Sequence, residues 1–275
     1  MEIYFWRPRS ILGDEISKLS RFYRKNVQPS PFGRSNFGDE LGPVIVQRIL
    51  DLNGVVPSPR MLRSSKPTLF TVGSVTYMAR NGDVFWGSGY LGGNKPALRP
   101  GVNNIHVHAL RGPLTREILS KKHGVKGMPE VYGDPAILIP RLFPELKPIL
   151  SGAETLLLTH MDDPPPPPLG PHVEHLSATE GYSNVVARIA GAKRVVTSSL
   201  HGKILADAYG VPSVTYQGST TRPLKFHDYA LGSGQEIFPI ATSLLSALDS
   251  AGQSPTDLTQ VGTALLNAFP IHLWD

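Results

Sequence analysis

Apolar positions fall into two kinds of run that take turns along the chain. Short stretches rich in branched or leucine side chains recur at Glu2–Trp6, Thr68–Val72, Val84–Trp86, Ile105–Leu110, Thr155–Thr159, Arg194–Val196 and Ser213–Tyr216, mostly with glycine nearby. These read as buried strands. Between them lie segments with helical spacing. Val44-Ile45-Val46 and Ile49-Leu50 form one apolar stripe ended by Asn53-Gly54, and Pro113–Leu119 places proline near a helix start. Val185–Ala190, the run from His201 to Tyr209, and residues 255–270 complete the set. Alternating strand and helix signals predict an α/β fold of parallel βαβ units. The pattern pauses near residue 150 and then repeats, so we expect units at 1–150 and 151–275. The last helix is expected to pack back on the first unit. Two such halves face a cleft, the usual place for a ligand.

Composition narrows the class. Of 275 residues 40% are hydrophobic and 18% charged, which excludes global disorder. The balance of 27 Lys+Arg against 22 Asp+Glu gives a net charge of +5, with no long basic run. That speaks against a dedicated nucleic-acid binder and suits an anionic small molecule, an anionic lipid-linked substrate or a membrane surface equally well. Absence of cysteine removes disulfides, thiolate metal sites and a cysteine nucleophile. MEIYFWRPRS lacks a signal-peptide pattern, and no window approaches about 18 continuous apolar residues. A cytoplasmic protein is expected, with a peripheral contact at the inner membrane face kept open. Residues 7–35 form a basic segment with a helix-like stretch near Ile16–Tyr23. By default it is a solvated insertion, with a lid or an acceptor contact as alternatives.

The candidate chemistry gathers at strand ends. In Arg194-Val195-Val196-Thr197-Ser198-Ser199-Leu200-His201-Gly202 a buried strand turns into a helix whose first turn carries His201. Free backbone N–H groups and the helix dipole favour an anion there, and an imidazole exchanges protons near neutral pH. Ser199 as a plain cap and His201 as a structural hydrogen bonder are the competing reading. Arg111 follows the strand Ile105–Leu110 and offers a planar fork for a carboxylate or phosphate, unless it forms a surface pair with Glu117. Asn36, Gly38 and Asp39 stand at another loop-to-helix entry, where simple capping competes with sugar binding. Gly87-x-Gly89-x-x-Gly92 matches a dinucleotide pattern formally. The following Asn94-Lys95-Pro96 cannot open the required helix, so a cleft loop or a turn is the better reading. His160 ends a strand on the expected cleft edge. The pairs His106/His108 and His172/His175 lack further ligands at sensible spacing, so no metal is expected.

Taken in order, four of these segments resemble the polysaccharide pyruvyl transferase family. Ser198-Ser199-Leu200-His201-Gly202 followed by Ala206-x-Ala208-Tyr209-Gly210-Val211-Pro212 looks like its signature. Asn36-x-Gly38-Asp39-Glu40, Val131-Tyr132-Gly133-Asp134-Pro135-Ala136 and Lys225-Phe226-x-Asp228-Tyr229 resemble its other elements. The resemblance spans roughly residues 36–230. It implies two Rossmann-like domains similar to the B-type glycosyltransferases, with phosphoenolpyruvate as donor and no further cofactor. It also implies transfer of the pyruvyl carbon to a sugar of a glycan precursor, usually as a cyclic ketal. By that resemblance the histidine matching His201 is catalytic. The expected binding set is Arg111, Ser198, Ser199, Gly202, Asn36, Gly38, Asp39, Gly89, His160 and Lys225, with a lipid-linked oligosaccharide or glycan as acceptor. Two rivals stay open: a sugar-nucleotide glycosyltransferase on the same architecture, and a non-catalytic module for anionic glycans. The first commonly needs a glutamate for the donor ribose, and between His201 and Gln235 the acids are Asp207 and Asp228 alone.

Overall fold

A computed structural model describes residues 2–4, 36–55, 67–219 and 221–274. The basic segment 7–35 and the end of the first predicted strand lie outside the described residues. Two four-stranded parallel sheets carry the architecture, so the α/β class read from the sequence holds. In the first, β1 (Glu2–Tyr4), β2 (Thr68–Phe70), β3 (Val84–Trp86) and β4 (His106–Ala109) lie in chain order. In the second, β5 (Thr155–Thr159), β6 (Val173–Ser177), β7 (Val195–Thr197) and β8 (Ser213–Thr215) take the order β6-β5-β7-β8. The chain therefore reverses its winding between β5 and β7. A crevice opens at the carboxyl ends of strands at such a switch point.

Burial explains which strands the sequence announced. All five residues of β5 are buried, as are all of β7 and β8, so both faces of the second sheet are covered and their apolar runs are continuous. β6 was missed because an edge strand needs no such run. Its Val173-Glu174-His175-Leu176-Ser177 buries Leu176 while exposing His175.

The helices are α1 (Phe37–Leu52), α2 (Pro113–His123), α3 (Ile139–Leu142), α4 (Tyr182–Ala190), α5 (Leu200–Ala208), α6 (Pro223–Gly232), α7 (Leu244–Asp249) and α8 (Thr259–Asn267). Asn36 caps α1 by accepting the Gly38 N–H at 3.1 Å. Proline opens α2, Gly124 closes it in the left-handed region at φ 67°, and Lys121, Lys122 and His123 complement its dipole.

One continuous apolar core serves both sheets. It joins Leu69, Val84 and Trp86 to Leu156, Leu158 and Val195 through α1, α5 and the turns around Ala136–Ile139. The chain's last segment returns to the first sheet. The Trp86 indole donates to the Leu265 carbonyl at 2.9 Å and meets the Phe269 ring edge-on. Among the described residues no helix is long and apolar enough to cross a membrane.

Candidate active site

The carboxyl ends of both sheets deliver side chains to one polar centre. His160 follows β5, and Ser198 to His201 follow β7, flanking the switch point. Thr197 fixes this turn: its hydroxyl donates to the Leu158 carbonyl at 2.7 Å and accepts the Ser199 N–H at 3.0 Å. Gly202 is needed for packing here. A Cβ would stand 2.5 Å from the Thr197 hydroxyl and 2.9 Å from Leu158. Ser199 occupies the N-cap position of α5 yet makes no side-chain cap bond, so plain capping does not account for it.

His201 is 8% exposed, and polar groups surround much of it. Phe37 meets the ring edge-on at 6.3 Å, and Gly38 lies so close that a Cβ would stand 2.0 Å from Nδ1. Nε2 is buried without a hydrogen-bond partner, 3.9 Å from the equally unpartnered Oδ2 of Asp134. Burial, with Lys225, Arg111 and His160 nearby, lowers the imidazole from 6.5 to about 3. The ring is therefore neutral at physiological pH, a proton acceptor rather than a donor.

Arg111 departs from expectation. It is neither a surface residue nor paired with Glu117, which binds Lys121 instead. Fully buried, its guanidinium turns Nε and Nη2 to Asp228 Oδ2 at 3.1 and 2.9 Å, while Nη2 also reaches the Tyr90 carbonyl and Nη1 the Ser74 hydroxyl. Asp228 additionally accepts the Thr115 N–H and hydroxyl. The two-point fork expected for a ligand is thus spent on Asp228. A strand-end arginine and an acid 117 residues later cannot be paired from sequence spacing. Gly89 makes the room, since a Cβ there would lie 2.3 Å from the guanidinium carbon.

Lys225 is the cation left unpaired. Buried on α6, it packs over the Phe226 ring at 5.3 Å and makes no ion pair or hydrogen bond among the described residues. Burial and the charges of Arg111 and Arg222 lower it to about 8. Lys203 contrasts with it, held by Asp207 at 2.7 Å. Asp39, in the first turn of α1, is raised to about 7 by burial and by Glu40, against the pull of Lys225. Asp134 is raised to about 6 by burial.

The remaining candidates shape the site. The Ser198 hydroxyl accepts the His160 N–H at 2.9 Å and donates to Asp163 at 2.5 Å, and Asp163 also holds Ser219. Ser198 therefore ties the His160 loop to the Gly218–Ser219 loop. His160 lies close enough to Lys225 for that charge to lower its basicity, after burial. Asn36 spends its side-chain oxygen on the cap of α1. Asp134 was quoted in a motif but given no role. Its Oδ1 caps the turn at Ala136, which reads locally as structure, and only the fold shows the second oxygen facing His201.

Away from this centre, His106, His108 and His272 line a cavity of about 340 Å³ with Pro67, Gly82, Val84 and Leu273, at the amino ends of the first sheet. The described residues contain no group of three or more His, Cys, Asp or Glu able to hold a metal ion. Asp207 and Asp228 are committed to Lys203, Tyr229 and Arg111, so neither is free for a donor ribose.

Neither the comparison with curated proteins nor that with solved structures returns a match. The family model for polysaccharide pyruvyl transferase matches residues 36–218, about two thirds of the chain, and this span contains the Asn36–Glu40 segment, the Gly-Asp-Pro-Ala turn and the Ser198–Gly202 motif with His201. The chain belongs to the polysaccharide pyruvyl transferase family.

Proposed function

We propose that the protein moves the pyruvyl group of phosphoenolpyruvate onto two hydroxyls of one sugar in a glycan precursor, forming a ketal and releasing phosphate. The observation that carries this reading is a neutral His201 at the first turn of α5 with the unpaired Lys225 and buried Arg111 charging the same centre. Such a site attracts a small, multiply anionic donor and offers a base.

The chemistry needs both a proton donor and an acceptor. The donor's methylene carbon gains a proton, C2 becomes electrophilic, and a sugar hydroxyl adds as its own proton leaves. The second hydroxyl then closes the ketal at C2 as the C2–O bond to phosphate breaks, and its proton leaves with the phosphate. His201 takes the hydroxyl proton through its free lone pair. Asp39, poised near 7, supplies the proton to the methylene carbon. Lys225 and the open N–H groups of α5 hold the phosphate and carboxylate, and Arg111 adds buried positive charge. A bound anion also offsets the two cations that lower His201, so the imidazole becomes more basic as the donor enters.

In this reading the two sheets form the acceptor half (1–150) and donor half (151–275) of a glycosyltransferase-B-like architecture. The acceptor is a lipid-linked oligosaccharide or glycan met at the cytoplasmic face of the membrane. The test is phosphate release from phosphoenolpyruvate with and without such acceptors, beside nucleotide-sugar controls. Acceptor-dependent release is the expected result. Nucleotide-sugar turnover, or inertness to every donor, overturns the proposal.

A further inference from the structure

Two buried polar atoms face each other without partners, and they belong to the residue most central to the site and to one the motif reading left idle. His201 Nε2 and Asp134 Oδ2 lie 3.9 Å apart, and neither has a hydrogen bond. That gap is about 1 Å longer than an N–H···O bond, a distance that a small turn of the ring closes. Asp134 is fully buried, the Gly73 backbone N–H lies near its carboxylate, and its other oxygen accepts the Ala136 N–H at 3.0 Å, so the oxygen facing His201 has a fixed direction. The ring is fixed too, by Phe37 on its flank and Gly38 beneath Nδ1. The two nitrogens therefore face different surroundings: Nε2 meets the carboxylate, and Nδ1 lies on the Gly38 side.

We propose that Asp134 is the positioning residue of His201, accepting the Nε2–H and so holding the ring in the tautomer that leaves the Nδ1 lone pair free to take the substrate proton. An ionised carboxylate can only accept, so a neutral ring facing it must present N–H. Burial foremost, then Lys225, Arg111 and His160, lowers His201 and keeps the ring neutral. The catalytic consequence rests on the pyruvyl-transfer reading, whereas the tautomer does not.

The experiment separates the two. Protein with ¹⁵N-labelled histidine is observed by NMR at pH 7.5, the His201 signals being assigned by their loss in His201→Gln. The expected spectrum is that of the Nε2–H tautomer. In Asp134→Asn, which keeps an oxygen for the Ala136 N–H, the amide donates toward Nε2 and the Nδ1–H tautomer replaces it. A wild-type ring in the Nδ1–H form overturns the proposal, as does an unchanged tautomer in a folded Asp134→Asn protein. If that variant does not fold, the wild-type spectrum decides alone. In turnover, Asp134→Asn is expected to lower kcat by about 10²-fold or more while KM for phosphoenolpyruvate stays within about threefold. Wild-type protein inert toward phosphoenolpyruvate refutes the reaction assigned above and leaves the tautomer result standing.

Discussion

Gly38→Ala is the sharpest perturbation the site offers, because one methyl group is aimed at the His201 ring. The added Cβ would sit 2.0 Å from His201 Nδ1, 2.7 Å from Cγ and 2.9 Å from Cε1. Ordinary contact needs 3.4 Å or more, so one partner must move by over 1 Å. The start of α1 is held by the Asn36 cap and by the Phe37 N–H bond to the Ala178 carbonyl, so the ring is the part that yields. A displacement of about 1 Å at a reacting group costs on the order of 10²-fold in rate, or about 2.7 kcal/mol of activation free energy. Stability falls by no more than this. Overpacking costs about 1–3 kcal/mol, and alanine in a helix recovers about 0.5–1 kcal/mol, leaving a net loss under about 2.5 kcal/mol. The assay is acceptor-dependent phosphate release, with thermal unfolding alongside. A folded Gly38→Ala protein retaining wild-type kcat to within a fewfold would refute the placement of His201 Nδ1 at the reacting centre.

Other perturbations separate binding from architecture. Asp228→Ala strands the buried Arg111 guanidinium and should cost about 3–5 kcal/mol in denaturant unfolding, and a loss below about 1 kcal/mol contradicts the buried pair. Lys225→Met should raise KM for phosphoenolpyruvate roughly 10- to 100-fold, the loss of one charge-assisted contact, while the melting temperature at pH 7 rises because a buried unpaired charge is removed. An unchanged KM removes Lys225 from the donor site. Asp39 carries its proton in the folded state to about pH 7, above the unfolded 3.8, so its contribution is present at low pH and lost as pH rises through 7. The loss runs from the unfolded 3.8 up to about 7, so Asp39→Asn should melt close to wild type near pH 4 and increasingly above it up to pH 8, and a difference independent of pH contradicts the buried carboxyl. Trp86→Phe deletes the bond to the Leu265 carbonyl and should cost about 1 kcal/mol, read from the denaturant midpoint.

What the sequence determined by itself was local. Continuous apolar runs at β5, β7 and β8 announced buried parallel strands because both faces of that sheet are covered. The turn from β7 into α5 announced a helix start with a histidine in its first turn, and the ordered motifs announced the family. Elements without a strong apolar period escaped, namely the edge strand β6 and the helices α3, α6 and α7. The tertiary structure alone decided what the charged groups do. Arg111 read as a ligand fork, yet its partner Asp228 sits on α6, far along the chain. Lys225 and Lys203 are alike in composition, and only the fold leaves one unpaired while Asp207 neutralises the other. Asp134 looked like a cap until its second oxygen was found opposite His201. Secondary structure follows from neighbours in sequence, but the basicity and availability of a side chain follow from charges and desolvation brought in across space. Those are set only once both sheets close on a common core.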